Sequence, residues 1–229
     1  MAEPLLQIDN LVVTTTGKSP RRLVDSVSLS LKQGEVLGLI GESGAGKSTI
    51  GLAIPGHCRA GMRIESGRIM FNGTELTGLS TRRLRAVRGR HIAYVAQSAG
   101  ASFNPAICIG DQVIEATIKH RILTREQARL RAMELFTRLG LPDPSGFYQR
   151  YPHQVSGGQL QRAMIAMALC PGPELVIFDE PTTALDVTTQ LGALQAISEV
   201  IRTSGVAAIY ISHDLAVVAQ ISDRIMVLQ

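Results

Sequence analysis

Eight residues, Gly41, Glu42, Ser43, Gly44, Ala45, Gly46, Lys47 and Ser48, follow directly on the apolar run Val36 to Ile40 and precede a segment of helical character. The pattern GxxxxGK[ST] in a strand-to-helix setting constrains the fold more than any other stretch of this chain. Its glycines let main-chain N–H groups curl around a phosphate. Lys47 brings a point charge to the outer phosphate oxygens, and the Ser48 hydroxyl is a ligand suited to magnesium. Thr49 closes the run. A loop of this kind requires a strand behind it and a helix N-terminus in front, which is an α/β arrangement.

The rest of the chain supports a folded domain around such a loop. Of 229 residues 45% are hydrophobic and 18% charged, with a net charge of +4, so the low-hydrophobicity, high-charge composition of disordered chains is excluded. No apolar run reaches the roughly 18 residues of a membrane span. Glu3 and Pro4 stand where a secretory signal would carry basic residues, so a cytosolic chain is expected. Cys58, Cys108 and Cys170 are odd in number and form no CxxC pair, which reads as small hydrophobes, not as a disulfide framework or zinc site. Arg82, Arg83, Arg85, Arg88 and Arg90 make one basic segment. Nucleic acid, nucleotide or anionic lipid would suit it, and a solvated helix face is the plainer reading.

Organisation follows from periodicity. Leu5 to Val13 is apolar, Val27, Leu29 and Leu31 alternate with polar residues, and Asn72-Gly73 after Ile69 to Phe71 is a hairpin signal, so an antiparallel layer is expected near the N-terminus. The middle turns helical: Thr124 to Gln127 fits a capping box, and Ala132, Leu135, Phe136 and Leu139 follow at helical spacing before Gly140. Leu141 to Gln159, with three prolines, is predicted as loop. From Leu175 onward strands (Leu175 to Phe178, Ala207 to Ile211, Ile225 to Leu228) alternate with helices, which implies parallel βαβ units. The expected architecture is an α/β sheet core over 1–97 and 172–229 with a helical insert over about 98–171.

Two further segments carry chemistry. The strand Leu175 to Phe178 ends in Asp179 and Glu180; beside a phosphate loop the first acid suits magnesium and the second an attacking water, whereas alone the pair reads as a solvated strand end. Ser156, Gly157, Gly158 and Gln159 open the helical run Leu160 to Cys170 and offer N–H groups, a hydroxyl and the positive end of a helix dipole to a phosphate. An ordinary N-cap is the plain alternative.

With these motifs in order, the whole chain resembles the ATP-binding subunit of an ABC transporter, a P-loop NTPase. GESGAGKST resembles Walker A, LVIFDE resembles Walker B, and VSGGQ is similar to the LSGGQ signature with Val155 in place of Leu. The resemblance implies that Gly41 to Thr49 bind ATP, and that Ser48, Gln97 and Asp179 hold Mg2+. By the same resemblance Gln97 is the Q-loop residue, Glu180 the general base and His213 the switch histidine, these three being catalytic. Ser156, Gly157, Gly158, Gln159 and the D-loop Asp186 are implied to meet nucleotide across a head-to-tail dimer. Taken singly, Gln97 is a strand end, Asp186 a helix N-cap and His213 a loop histidine.

FNPAICIGDQV at 103–113 and RYPHQVSGGQLQRAMIAMAL at 150–169 are similar to the oligopeptide, dipeptide and nickel importer branch. That branch implies membrane permease subunits, a second ATPase subunit, identical or different, and indirectly a solute-binding protein. It implies a peripheral location on the cytoplasmic face of the inner membrane, with no nucleic-acid partner. A soluble ABC-type ATPase acting on nucleic acid or ribosomes is the alternative, with the arginine cluster as its contact. The chain departs from the branch at three places. No aromatic precedes Phe71 to stack on adenine, which leaves Arg21 or Arg22 for that role; Pro55-Gly56 stops the helix after the P-loop early; and the end at Gln229 reads as a truncation or the first half of a tandem ATPase.

Overall fold

The computed structural model describes residues 3–181 and 187–229. In chain order the elements are β1 (Leu6–Thr15), β2 (Arg22–Leu31), β3 (Val36–Gly41), α1 (Lys47–Ala53), β4 (Met62–Phe71), β5 (Thr74–Glu75), α2 (Thr81–Val87) and β6 (Ile92–Val95). There follow α3 (Ile109–Lys119), α4 (Arg125–Arg138), α5 (Pro144–Gln149), α6 (Gly157–Leu169), β7 (Leu175–Asp179), α7 (Val187–Ser204), β8 (Ala207–Ile211), α8 (Leu215–Ile221) and β9 (Arg224–Leu228). They fall into two units, Met1–Arg88 with Ala207–Gln229, and Gly89–Val206.

The first unit holds the antiparallel layer, in the order β2-β1-β4-β5. Leu6 pairs with Leu31 on one side and Phe71 on the other, and Ile8 with Leu29 and Ile69, so one face of β1 is apolar across three strands. Leu6, Ile8, Leu31 and Ile69 are buried. The Asn72-Gly73 turn forms as expected, both residues at positive φ (47° and 71°), the geometry a type I′ hairpin demands. Beside this layer β3 runs parallel between β8 and β9. α1 touches β2, β3 and β8, and its Ile50 and Ala53 are buried.

The second unit joins the parallel pair β6–β7 to the helices α3 to α6. Every residue of β7 is buried, as its continuous apolar run requires in a covered parallel strand. The Thr124–Gln127 capping box is formed, and Ala132, Leu135, Phe136 and Leu139 are buried on the inner stripe of α4. Phe136 meets Phe147 edge to face at 5.1 Å.

Two expectations change. Leu141 to Gln159 is not a continuous loop: Asp143 accepts a hydrogen bond from Gly146 N at 3.1 Å and Pro144 occupies the first turn of α5. A short 3-10 turn then covers Pro152–Gln154. Proline at a helix start leaves no amide wasted, so here it begins helices instead of ending them. Of the cysteines Cys170 is buried, its thiol pushed up by desolvation, while Cys58 and Cys108 are half-buried.

Candidate active site

In the first unit the phosphate loop leaves β3 and closes at α1. Neither Gly41 nor Gly46 tolerates a side chain: a Cβ on Gly41 would stand 2.3 Å from Leu228 O, and one on Gly46 2.5 Å from Leu23 O. Gly46 also takes φ 88° as the N-cap of α1. Lys47 is buried (7% exposed), and its ammonium donates to Gly41 O at 2.7 Å and Glu42 O at 2.8 Å. The loop's own carbonyls therefore hold the lysine in place. Gly44 is exposed, Ser48 and Thr49 half-buried.

Pro55 ends α1 early, as its sequence predicts, with Ile54 as C-cap. Arg88 finishes that end: its Nε donates to Pro55 O at 2.8 Å and a terminal nitrogen to Gly56 O at 2.6 Å. One member of the arginine run is thus a structural cap. Arg82, Arg83 and Arg85 are exposed on α2.

His213 lies in the turn between β8 and α8. Because Leu39 is in register with Ile211 in the parallel pair, His213 leaves β8 at the same sheet end where Gly41 leaves β3. Asp214 caps α8 through Ala216 N at 2.9 Å and Val217 N at 3.3 Å, which fixes the turn carrying the histidine.

The second unit brings the two acids to the end of β7 and gives each a partner from the β6 side. Gln97 Nε2 donates to Glu180 Oε2 at 3.0 Å. Tyr94 Oη donates to Asp179 Oδ2 at 2.5 Å, within the range of charge-assisted O–H···O⁻ bonds. Asp179 is 5% exposed. Glu180 sits at φ 50°, in the left-handed region that costs a non-glycine residue about 1–3 kcal/mol.

The signature-like loop opens α6 with Ser156 as N-cap. Ser156 Oγ accepts from Gln159 N at 3.3 Å and Gln159 Oε1 accepts from Ser156 N at 3.1 Å, a complete capping box. The plain reading of this loop is therefore real. It leaves the first-turn amides of Gly157 and Gly158 without an intrahelical acceptor, as at any helix start. Asp186 lies outside the described residues.

Tyr94, the partner of Asp179, is the residue of the site that sequence reasoning missed, and Gln112 is a loop anchor it missed as well. Gln112 Oε1 accepts from Asn104 N at 2.8 Å, and its amide donates to Asn104 O at 3.0 Å and Ile107 O at 2.7 Å, pinning the 103–108 loop before α3. Finding either from sequence needs the strand register or the loop path, which no local pattern carries.

Each unit, taken by itself, has donors that fit part of a magnesium nucleotide. In the first unit the Gly41 and Gly46 positions leave backbone where a Cβ would intrude, Lys47 is a buried cation and Ser48 offers a hydroxyl, a set suited to phosphate. In the second unit the Gln97 amide oxygen and the Asp179 carboxylate are hard oxygen donors of the kind magnesium takes. Magnesium sites of this type use one or two carboxylates and complete themselves with waters and substrate phosphates.

Residues 24–183 match the ABC transporter family, and the chain belongs to it. It is 42% identical over 225 residues to the dipeptide transport ATP-binding protein DppD of Escherichia coli (strain K12), covering 98% of this chain and 69% of that protein. To the metal-staphylopine import system ATP-binding protein CntD of Staphylococcus aureus (strain NCTC 8325 / PS 47) it is 39% identical, covering 98% and 82%. Among solved structures, the ATP-binding cassette MJ0796 in a dimeric post-hydrolysis state bound to ADP and Pi superposes with a TM-score of 0.86 at 27% identity, covering 98% of this chain and 94% of that one.

Proposed function

We propose that the chain is the ATP-hydrolysing subunit of an importer for small peptides or related solutes such as metal chelates, working at the cytoplasmic face of the inner membrane. The observation that carries the catalytic part is the acid pair at the end of β7, with Glu180 in a strained backbone conformation and hydrogen-bonded to Gln97. Relatives named as dipeptide, oligopeptide and metal-staphylopine transport proteins support the cargo class.

In this reading the loop amides from Gly41 to Ser48 bind the triphosphate, and Lys47 exchanges its carbonyl partners for phosphate oxygens. Magnesium, when bound, neutralises charge developing on the phosphates. Ser48, Asp179 and Gln97 would hold it. Glu180 accepts a proton from the attacking water, and His213 steadies the γ-phosphate. Gln97, bonded to Glu180, keeps the base from swinging away. The Ser156 loop and Asp186 act on nucleotide held by a second ATPase subunit in head-to-tail pairing; the dimeric state of the MJ0796 cassette supports that arrangement. Permease subunits dock beside the 103–113 and 150–169 stretches, where Ile107 (43% exposed) and Tyr151 (37% exposed) present apolar surface.

The test is reconstitution with the permease and solute-binding subunits of a peptide or metal-chelate importer. Hydrolysis stimulated by permease and by loaded binding protein is the expected result. Hydrolysis stimulated by nucleic acid or ribosomes, in a salt-dependent manner, would replace this reading with the soluble one.

A further inference from the structure

We propose that Tyr94 is a positioning residue for the metal-binding carboxylate: its phenol hydroxyl clamps Asp179 Oδ2 and so sets the orientation in which this acid meets the nucleotide's magnesium. The proposal rests on the nucleotide reading above and adds a residue to it.

The strand register makes the contact. Tyr94 on β6 is opposite Ile177 on β7 in the parallel pair. Residues in register share a face, and the face repeats every second residue, so Asp179 projects from the same face as Tyr94, about 6.6 Å further along. Serine or threonine at 94 would fall short of that distance, and phenylalanine or methionine would reach it without a donor. A tyrosine spans it and delivers an O–H to the carboxylate at 2.5 Å.

The chemistry of the donor matters as much as its reach. Asp179 closes a strand whose other residues, Leu175 to Phe178, are fully buried and apolar, so its own buried carboxylate oxygens depend on hydrogen-bond donors from the protein. An arginine or lysine would supply them and cancel the charge. A neutral phenol stabilises the anion and leaves its full negative charge for a dication. It also restricts rotation of the carboxylate about its terminal torsion, which otherwise is broad. Hydrogen-bonding partners of this kind around metal ligands commonly change metal affinity by 10-fold or more. Gln97 holds Glu180 from the same side, so the β6 side orients each acid separately.

The experiment is metal binding by the full chain carrying Tyr94→Phe, which keeps the ring and deletes only the hydroxyl. Manganese serves as the probe, its binding in the presence of ATP being read by electron paramagnetic resonance, with ATP affinity measured separately in EDTA. We expect the manganese Kd to rise about tenfold, ATP affinity in EDTA to stay within twofold, and Tyr94→Phe to have no further effect on manganese once Asp179→Asn is present. An unchanged manganese Kd in Tyr94→Phe, or an equal loss in the Asp179→Asn background, overturns the positioning role and leaves Tyr94 as packing. Failure of the wild-type chain to bind ATP in EDTA overturns the nucleotide reading itself, and the proposal with it.

Discussion

Gln97 Nε2 and Glu180 Oε2 are joined by a hydrogen bond of 3.0 Å, which ties the exit of β6 to the residue after β7. The donor is an amide, so it orients the carboxylate without adding charge. Glu180 also carries the backbone strain of φ 50°. Strain and a directed hydrogen bond on one acid are the features of a side chain held for chemistry.

Glu180→Gln keeps size, backbone class and an acceptor for Gln97 but removes the proton sink. Hydrolysis is expected to fall roughly 10²- to 10⁴-fold while ATP binding persists. With magnesium and ATP the variant should run as a dimer by light scattering, alone or with a companion ATPase subunit. Wild-type turnover removes Glu180 from the base role, and a monomer in both assays removes the shared-site mechanism.

Lys47→Ala removes the buried ammonium that Gly41 O and Glu42 O now hold. Calorimetric titration should show ATP binding lost. The fold should survive with a modest drop in Tm, because the two carbonyls lie at the last residue of β3 and the first of the loop, next to the exposed Ser43 and Gly44, where water can replace the lysine. Retained ATP affinity would move the nucleotide away from this loop.

No aromatic precedes Phe71, and Arg22 is engaged by Asp25 at 3.0 Å. ATP and GTP should therefore bind with similar Kd. A preference above about a hundredfold, roughly 2.7 kcal/mol, measured by competition, would reveal a specific base contact.

Tyr148 Oη donates to Asp111 Oδ1 at 3.0 Å, and burial, followed by that hydrogen bond, pushes the phenol up to about 12. Its ordinary value is near 10. A folded-state value raised in this way gives stability that is complete below about pH 10 and lost as pH climbs toward 12. Tyr148→Phe should cost about 1–2 kcal/mol at pH 8 and flatten that alkaline decline. Urea titrations at several pH values between 8 and 11.5 check both, and parallel alkaline slopes in the two proteins would refute the assignment.

Arg88 and Arg83 belong to one basic run, but only Arg88 donates to Pro55 O and Gly56 O. Arg88→Ala should lower stability by about 2 kcal/mol, and Arg83→Ala by no more than about 0.5 kcal/mol. Equal effects in chemical denaturation would mean that the cap at the end of α1 contributes nothing.

What the sequence determined by itself is whatever depends on neighbours along the chain. The turn from β3 into α1 is legible because glycine spacing, lysine and hydroxyl are all local requirements of one loop. Thr124 with Gln127, Ser156 with Gln159, and Asn72 with Gly73 are legible for the same reason: cap and turn geometries close within four residues. The strand Leu175 to Phe178 announces itself because a strand covered on both faces needs no alternation. Tertiary structure alone decided which distant side chains meet. Tyr94 reaches Asp179 across 85 residues and Gln97 reaches Glu180 across 83 because β6 and β7 pair in one register, and a shift of one residue would turn both contacts to the wrong face. The same holds for Arg88 at Pro55, where a charge that looks solvated in sequence is spent on carbonyls 33 and 32 residues away. Hydrogen-bond partners far apart in the chain are chosen by packing, and packing is a property of the whole fold.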